Sequence, residues 1–453
     1  MMKKLLLSLV FAANFSAIAA DNKEELPKQT LFTNVHVWDG TSEGITKKIN
    51  VLVEGNLIKK VRADKSDARK DATIINGDGK VLMPGLIDTH THIAVPEQLD
   101  VLTNKVDTIY WGISAAQVTQ DWLMRGYTTV RDAGGPAVAV MKAVKDGKLI
   151  GPRVYPSGQV ISQTSGHGDH RDYNTPHPNL PGNTPQKMQK PEGLEMICDG
   201  VAEVLRCSRE VLRTGATQLK VMVGGGASSS FGPLYTLQYL PEEIEAAVRA
   251  ARDYGTYVMV HAYHDESIFR AMNAGVRSIE HGTLMSEKGM KAIMEKDAWI
   301  SPYFTMLSLP WETIEAYVGP QNAPKAKQIY DGAKNQLRIL KESGYDKIAF
   351  GADVVGPLSV QQTANNEFVV RAKYWKPVEV LKQATFNNAR MLKEETGLRN
   401  PYQAGDLGVI KAGAYADMIL VDGNPLEKIE LLVDPTNTLK VIMKDGMVYK
   451  NTL

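Results

Sequence analysis

Two histidines lie two residues apart at the end of an apolar stretch, VLMPGLIDTHTHI, which runs from Val81 to Ile93. Side chains alternate between the two faces of a β-strand, so His90 and His92 are expected to point to the same side. Two converging imidazoles are suitable ligands for a divalent transition metal, although a polar strand end would contain the same residues. The prediction of a metal site therefore depends on what the rest of the chain brings to this place.

Four more residues of metal-ligating type occur at or near the ends of short apolar runs further along the chain. Each has a plain structural interpretation by itself, as a hydrogen-bonded core histidine, an ion-paired lysine or a turn aspartate. Together with His90 and His92, however, their order favours one metal-binding site. These residues are Lys220 in QLKVMV, His261 in VMVHAYH, His281 in IEHGT and Asp353 in FGADV.

Lysine is the unusual member of this set, because a protonated lysine would repel a metal ion and a buried charge is costly. A lysine that burial deprotonates can instead add carbon dioxide. The carbamate that Lys220 would then carry is an anionic ligand that can bridge two metal ions. The ligand types therefore allow a binuclear centre, and zinc is the first choice of metal for imidazole and carboxylate ligands.

Alternating strands and helices would bring these residues together. Eight short apolar runs are separated mostly by helical patterns such as LPEEIEAAVRAARDYG. This alternation predicts an α/β fold, a (β/α)8 TIM barrel, in which the carboxyl ends of the strands surround one site. The irregular stretch at residues 162–193 is predicted to be a functional or disordered loop. The eight runs are VLMPGLIDTHTHI, YTTVRDAGG, RVYPSGQVI, ATQLKVMV, TYVMVHAYH, SIEHGT, WISPYFTM and KIAFGADVV.

Both ends of the chain are instead rich in short strands separated by turn residues, as in INVLVEGNLIKKVRA and TLKVIMKDGMVYK. We expect these strands to pair as a small β-sandwich beside the barrel. The predicted domains are therefore a first sandwich part at residues 27–82, the barrel at 83–400 and a second sandwich part at 401–453.

The 453 residues are 43% hydrophobic and carry a formal net charge of +1. Because the basic residues form no long blocks, the composition argues against nucleic acid as the main partner. The succession of MMKK, LLLSLVFAANF and Ala17-Ile18-Ala19 predicts a secretory signal at residues 1–19 and a periplasmic or secreted protein. A membrane anchor is the weaker interpretation, since the apolar run is shorter than the roughly 20 residues that span a bilayer. We therefore expect no membrane association after signal cleavage.

The two cysteines of the chain, Cys198 and Cys207, both fall within a predicted helix, ICDGVAEVLRCSREVLR. Nine helical residues span roughly 13 Å, which exceeds the reach of a disulfide. We therefore predict two half-buried free thiols.

Several motifs resemble those of a known family. PGLIDTHTHI resembles the first-strand signature of the amidohydrolase superfamily, and GAYADMILVDGNP resembles its C-terminal sandwich signature. VRDAGG, SQTSGHGD, LKVMVGGG and HAYHDESI are similar to motifs of the imidazolonepropionase-like group, which includes Xaa-Pro dipeptidases (prolidases) and related metallo-carboxypeptidases. Imidazolonepropionase itself lacks the lysine on the fourth strand, so Lys220 points to the binuclear, peptidase-like branch.

The resemblance implies a role for each of the six residues. His90, His92 and Asp353 would hold one metal ion, and His261 and His281 would hold the other. N6-carboxylated Lys220 would bridge the two ions, and the ligand types favour Zn²⁺ as the metal. A hydroxide bridging the metals would attack the amide carbonyl, and Asp353 would carry the proton to the leaving amine.

Residues around this centre are candidates for substrate contacts. Tyr263 lies two residues beyond His261, so its hydroxyl is expected to bind the carbonyl oxygen, unless it only packs at the barrel rim. His167 in SGHGD is expected, from the resemblance, to bind a terminal carboxylate, unless it only orders its loop. For Arg131 an ion pair with a nearby acid is predicted, and the triple glycine at residues 224–226 is interpreted as a flexible loop over the site.

These observations together predict an exported, binuclear metal-dependent amidohydrolase that acts on a dipeptide or an N-acyl amino acid with a free carboxylate. One alternative is a hydrolase of the same fold that acts on a cyclic amide, a lactone or an aryl amide such as a mycotoxin. Another is an inactive periplasmic protein that binds metal or solute, which would have no need for a proton carrier such as Asp353. The resemblance is also compatible with a homo-oligomer.

Overall fold

The computed structural model describes residues 26–171, 174–175, 177, 193–229 and 232–453, and within these it contains seventeen β-strands and thirteen α-helices. The predicted signal peptide at residues 1–19 lies outside this part of the chain. The strands are β1 Gln29–Val37, β2 Thr46–Glu54, β3 Leu57–Val61, β4 Thr73–Asn76, β5 Val81–Pro84, β6 Leu86–Thr91, β7 Tyr127–Asp132, β8 Arg153–Tyr155, β9 Val160–Ser162, β10 Glu195–Ile197, β11 Leu219–Met222, β12 Val258–Ala262, β13 Ser278–His281, β14 Trp299–Ser301, β15 Met418–Val421, β16 Leu439–Lys444 and β17 Met447–Asn451.

The helices lie mainly between the strands of the middle part of the chain. They are α1 Leu99–Asn104, α2 Thr108–Met124, α3 Ala137–Lys145, α4 Gly200–Thr214, α5 Pro241–Asp253, α6 Asp265–Ala274, α7 Glu287–Glu295, α8 Trp311–Ser343, α9 Leu358–Gln361, α10 Asn366–Arg371, α11 Pro377–Lys382, α12 Asn388–Thr396 and α13 Pro435–Thr438.

The strands of both chain ends form one eight-stranded sheet. Its order is β17-β16-β15-β5-β1-β2-β3, and β4 pairs in parallel with β1. The N-terminal and C-terminal strands meet where β5 lies antiparallel to β15, with Leu82 opposite Leu420. The expected pairing of the two chain ends is therefore confirmed, whereas the division of these strands into two sandwich layers stays a prediction.

The apolar run that ends in the two histidines is divided between two sheets. Strand β5 belongs to the sheet of the chain ends, whereas β6 pairs in parallel with β7. Gly85 lies between them, and a Cβ atom there would lie 2.2 Å from the Thr128 Oγ1 atom. Because this approach leaves no room for a side chain, glycine is required where the chain passes from one sheet to the other.

Parallel strands form two further sheets, β6-β7-β8 and β10-β9-β11-β12-β13-β14. The third predicted run is divided into β8 and β9, and β10 is an additional strand parallel to β9. The last predicted run connects the two sheets, because Thr89 N donates to Phe350 O at 2.9 Å and Ala349 N donates to Ile300 O at 2.8 Å. The α/β class is confirmed, and closure of all strands into a single barrel stays a prediction.

The helices cover the parallel strands with their apolar faces. Helix α5 begins at Pro241, has Glu242 and Glu243 in its first turn and buries Ile244 and Ala247. Proline and acidic residues favour a helix N-terminus, so the sequence pattern and the structure agree here. Among the described residues, no helix combines the length and the apolar character needed to cross a lipid bilayer.

Helix α8 borders the carboxyl ends of the parallel strands. It is 33 residues long and is interrupted at Gly319, whose φ of 75° is not helical. The Gln336 side chain in its second half donates a hydrogen bond to the carbonyl oxygen of His281. This long helix therefore lies against the end of β13, which carries one of the predicted metal ligands.

Cys198 and Cys207 form a disulfide, so the prediction of two half-buried free thiols is wrong. Helix α4 begins only at Gly200, and Cys198 lies outside it, directly after β10. The chain turns between the two, so the Cα atoms are 6.7 Å apart instead of the roughly 13 Å of a continuous helix. Both cysteine side chains are also fully buried.

Candidate metal centre and active site

Asp353 lies at the centre of the predicted ligand set. Its Oδ1 atom is 3.3 Å from His90 Nε2 and 3.4 Å from His92 Nε2, and its Oδ2 atom is 3.4 Å from His281 Nδ1. One ligand atom from each of His90, His281 and Asp353 lies within 4.8 Å of the others. The structure therefore brings four of the six predicted ligands to one point at the carboxyl ends of the strands.

Two of these residues have a left-handed backbone conformation that residues other than glycine adopt uncommonly. The φ angle is 72° at His281 and 48° at Asp353. Hydrogen bonds hold both positions, because Asp353 N donates to His90 O at 3.0 Å and the Gln336 side chain donates to His281 O. Such strained residues occur preferentially at functional sites, where the surrounding structure enforces them.

Two buried carboxylates hold the backbone on which the ligands stand. Asp88 accepts hydrogen bonds from His90 N at 2.8 Å and from Ala352 N at 3.0 Å, so it joins the first ligand strand to the segment of Asp353. Asp132 accepts hydrogen bonds from Ile93 N and Gly134 N in the same manner. Burial raises the pKa of Asp132 to about 7.

Glu280 orients the His90 ring from the side opposite to Asp353. Its Oε2 atom is 2.7 Å from His90 Nδ1, and both of its oxygens accept hydrogen bonds from Arg131, at 2.8 and 2.9 Å. Arg131 also donates to Thr89 O and to the Tyr257 hydroxyl. The predicted ion pair of Arg131 with a nearby acid is confirmed, and the acid stands next to His281 in the chain.

Glu280 is charged although it is fully buried. Burial raises the pKa of Glu280, but the charge of Arg131 and the hydrogen bond with His90 outweigh burial and lower this pKa to about 2. Glu280 is therefore an anion that fixes the proton of His90 on Nδ1 and directs Nε2 towards Asp353.

His261 lies beside His281, with ring centroids 4.5 Å apart. Its Nε2 atom is 3.0 Å from the carbonyl oxygen of Gly225, so Nδ1 is the nitrogen that remains for a ligand. His92 is held likewise, because its Nδ1 atom is 3.1 Å from Gly134 O. A histidine that ligates a metal typically has its second nitrogen bonded to a carbonyl or carboxylate, and His90, His92 and His261 share this arrangement.

The donor set fits divalent metal ions. His90 Nε2 and His281 Nδ1 are buried nitrogens without a hydrogen-bond partner among the described residues, which is costly unless a further group binds them. Burial lowers the pKa of His90, His261 and His281. These rings are therefore neutral near pH 7, which is the form that ligates metals.

Lys220 is buried within β11 among these groups. Burial lowers the pKa of its amine to about 8, although the carboxylates of Glu280 and Asp353 act in the opposite direction. Among the described residues, no hydrogen bond or ion pair involves the Lys220 Nζ atom. A buried amine with a reduced pKa and no partner has the properties that carboxylation by carbon dioxide requires.

The predicted substrate contacts lie next to the second pair of histidines. The His167 ring stacks on His261 with centroids 4.1 Å apart, and the Tyr263 ring is 4.6 Å from His261 and 5.2 Å from His281. Tyr303, which the sequence did not indicate, lies 5.2 Å from His281 and forms a hydrogen bond with Tyr263. The two tyrosines therefore form one wall of the site.

Close packing explains why residues 225 and 226 of the triple glycine carry no side chain. A Cβ atom on Gly226 would lie 2.2 Å from the His167 ring, and one on Gly225 would lie 2.0 Å from the carbonyl oxygen of Pro233. The His167 Nδ1 atom is in turn 2.7 Å from Ser229 Oγ in the same loop. The loop therefore packs directly against His167, and its flexibility stays a prediction.

Sequence reasoning missed the acidic residues that support the ligands. Asp88, Asp132 and Glu280 are all fully buried in strands or at their ends. Each stands in an otherwise apolar run, IDTHT, VRDAGG or SIEH, and an acid in such a run is a signal that could have been used. Their partners, however, come from other strands and were not available from the sequence.

Comparisons with known proteins agree with this geometry. A family model described as "Amidohydrolase family" matches residues 81–448. The chain is 29% identical over 379 residues to ochratoxinase of Aspergillus niger, which covers 82% of this chain and 76% of that protein.

Two solved structures are similar over nearly the whole chain. A prolidase in complex with N-methylphosphonate-L-proline superposes with a TM-score of 0.84 and 31% identity, covering 94% of this chain and 100% of that chain. A Xaa-Pro dipeptidase with methionine bound in its active site superposes with a TM-score of 0.79 and 29% identity, with the same coverage of 94% and 100%.

Proposed function

The chain belongs to the amidohydrolase family and is a hydrolase that acts on carbon–nitrogen bonds, and from this premise we propose that it cleaves an amide bond near a free carboxylate. The proposed substrate is a dipeptide or an N-acyl amino acid. The observation that carries the proposal is the convergence of His90, His92 and His281 on Asp353, at a site whose relatives include prolidases.

The proposed cofactors are two divalent metal ions, zinc by ligand type. His90, His92 and Asp353 would hold one ion, and His261 and His281 would hold the other. The buried Lys220, as its carbamate, would be the ligand common to both. When bound, the two ions would lower the pKa of a water molecule and polarise the scissile carbonyl.

Asp353 is the proposed proton carrier. Burial raises the pKa of its carboxyl group, but the electrostatic effect of the nearby His90 and the hydrogen bond with His92 outweigh burial and lower this pKa to about 2. Asp353 is therefore a carboxylate that can accept the proton of the attacking water and pass it to the leaving amine nitrogen.

Tyr263 and His167 are the proposed substrate contacts. The hydroxyl groups of Tyr263 and Tyr303 share a hydrogen bond, which holds the Tyr263 hydroxyl at the site. There it would bind the carbonyl oxygen as negative charge develops. His167, whose ring lies 4.1 Å from that of His261, would contact the carboxylate of the substrate.

We also propose that the protein is exported and that its parallel strands close into one TIM barrel. The signal pattern at residues 1–19 supports export, and so does the disulfide between Cys198 and Cys207, because disulfides persist mainly in oxidising compartments. The backbone hydrogen bonds of Ala349 and Phe350 to strands of both sheets support closure of the barrel.

A second candidate substrate is an aryl amide such as a mycotoxin. The relationship to ochratoxinase over 82% of the chain favours it. The same catalytic groups would attack either carbonyl, and only the shape of the pocket distinguishes the two substrate classes.

The first experiment measures the zinc-loaded mature protein on a dipeptide library, with released amino acids and bound metal determined on the same sample. We expect cleavage by protein that holds close to two metal ions per chain, and no cleavage after chelation. Two bound metals without cleavage of any dipeptide or N-acyl amino acid would contradict the proposed substrate class. An ochratoxin assayed in parallel tests the second candidate.

Carboxylation of Lys220 has its own test. Bicarbonate present during metal loading should raise the metal content and the activity of the wild-type protein. Lys220→Ala should bind less metal, and bicarbonate should not change its metal content. An equal response of both proteins to bicarbonate would contradict the carbamate.

A further inference from the structure

We propose that Lys325 is a specificity-determining residue that binds the free carboxylate of the substrate. This inference rests on the proposed function. It names the positively charged side chain that would bind the substrate's carboxylate. The Lys325 Nζ atom donates a hydrogen bond to the carbonyl oxygen of Ser229 at 2.5 Å. The hydroxyl of the same Ser229 is 2.7 Å from His167 Nδ1, and the His167 ring stacks on His261 at 4.1 Å. A direct series of contacts thus joins Lys325 to a predicted metal ligand.

Helix α8 is the element that presents Lys325 to the site. Ile329 lies one helical turn further along the same face and packs in a buried cluster with Tyr263. Near the start of the helix, the Tyr317 hydroxyl donates to Val355 O at 3.1 Å, two residues beyond Asp353. The helix therefore crosses the mouth of the site, and the face that carries Lys325 and Ile329 is turned towards it.

Lys325 has no acidic partner in the part of the chain that the structure describes. Among the described residues, no carboxylate forms an ion pair with it, and burial lowers the pKa of its ammonium group without any neighbouring acid that raises it. Lys327, two residues away, instead pairs with Asp331 at 2.7 Å on the surface of the helix. A partly buried cation that lacks a counter-charge is costly by itself, and a substrate carboxylate would supply the missing charge.

His167 and Lys325 would act on the same anion. In the tautomer in which His167 Nδ1 accepts a hydrogen bond from Ser229 Oγ, the Nε2 atom carries the ring proton and would donate a hydrogen bond to one carboxylate oxygen. Lys325 would attract the carboxylate and donate to it through its remaining protons. The substrate's free carboxylate is thereby assigned to the part of the site formed by His167, Ser229 and Lys325.

The test compares two substrates that share the scissile bond, namely the preferred dipeptide from the library and its C-terminal amide. Lys325→Met keeps the length and helix preference of the side chain and removes its charge. We expect kcat/KM for the dipeptide to fall roughly 10-fold to 100-fold, mainly through KM, with less than about a twofold change for the amide. Lys327→Met, on the same helix, is the matched control and should leave both values unchanged.

Binding without turnover separates this inference from the proposed function. L-Proline has a free carboxylate, and L-prolinamide has a neutral carboxamide in its place. Both are titrated calorimetrically against the metal-loaded protein. Tighter binding of proline that Lys325→Met abolishes would support the inference even if no dipeptide is cleaved. The inference would be overturned if Lys325→Met weakened the binding of proline and prolinamide equally. It would also be overturned if Lys327→Met weakened proline binding as much as Lys325→Met. Neither result would contradict amide hydrolysis.

Discussion

The Oε2 atom of Glu280 lies 2.7 Å from Nδ1 of His90, although the two residues are 190 positions apart in the chain. Glu280 is itself paired with Arg131 through both carboxylate oxygens. The orientation of a predicted metal ligand therefore depends on a buried ion pair that lies beneath the site.

Replacing Glu280 tests this dependence. Glu280→Gln should weaken metal binding about 10-fold to 100-fold, because the amide cannot hold the His90 ring as a carboxylate does. It should also lower the free energy of unfolding by about 3–5 kcal/mol, since the charge of Arg131 remains buried without its partner. Competition with a zinc chelator and urea unfolding measure the two effects. Glu287→Gln, at a surface ion pair with Arg338, is the control, and unchanged zinc affinity in Glu280→Gln would contradict the role.

Glu280 should also make stability depend on pH. Its pKa is about 2 in the folded chain and 4.5 without its partners, so its contribution to stability is present above pH 4.5. This contribution is lost as the pH falls from about 4.5 towards about 2. We therefore expect the metal-free wild-type protein to lose more unfolding free energy than Glu280→Gln between pH 5.5 and pH 3, in urea titrations at about those two values. Parallel losses in both proteins would contradict the ion pair as the source.

Asp353→Asn tests the proton carrier. The amide keeps the size of the side chain but cannot accept a proton, so kcat should fall about 10²-fold to 10⁴-fold. The second metal ion should stay bound, because its ligands His261 and His281 are unchanged. Steady-state kinetics and metal analysis on one preparation measure kcat and the bound metal. Normal turnover in this variant would contradict the role of Asp353 in proton transfer.

Two neighbouring glycines offer a matched pair of substitutions. Gly226→Ala should displace His167, since the added methyl would lie 2.2 Å from its ring, and should raise KM for a substrate with a free carboxylate. Gly224→Ala is the control, because its methyl would lie 3.6 Å from the nearest atom, which is ordinary contact. Steady-state kinetics compare the two variants. An equal increase in KM for both would mean that the loop as a whole, not the His167 contact, sets the affinity.

The disulfide should stabilise the connection between β10 and α4. Cys198→Ser combined with Cys207→Ser should lower the free energy of unfolding by about 2–3 kcal/mol, because the unfolded chain regains the freedom of a loop of nine residues. Thermal or urea unfolding under oxidising conditions measures the difference. Reductant should destabilise the wild-type protein and leave the double variant unchanged.

The sequence by itself predicted the candidate residues of the centre and the class of fold. His90 and His92 share a side because a strand alternates its side chains, and this is a property of adjacent residues alone. Alternating apolar runs and helical patterns likewise predicted where Lys220, His261, His281 and Asp353 would lie, since parallel strands present their carboxyl ends at one edge.

Only the tertiary structure decided which residues support and complete the centre. Arg131 meets Glu280, and Ser229 joins His167 to Lys325 on the long helix, through contacts between residues that are 62 to 149 positions apart. The same holds for the transfer of β5 to the sheet of the chain ends and for the turn that brings Cys198 to Cys207. Local periodicity reports which face of an element is apolar, but the partner of each face follows from the packing of the whole chain.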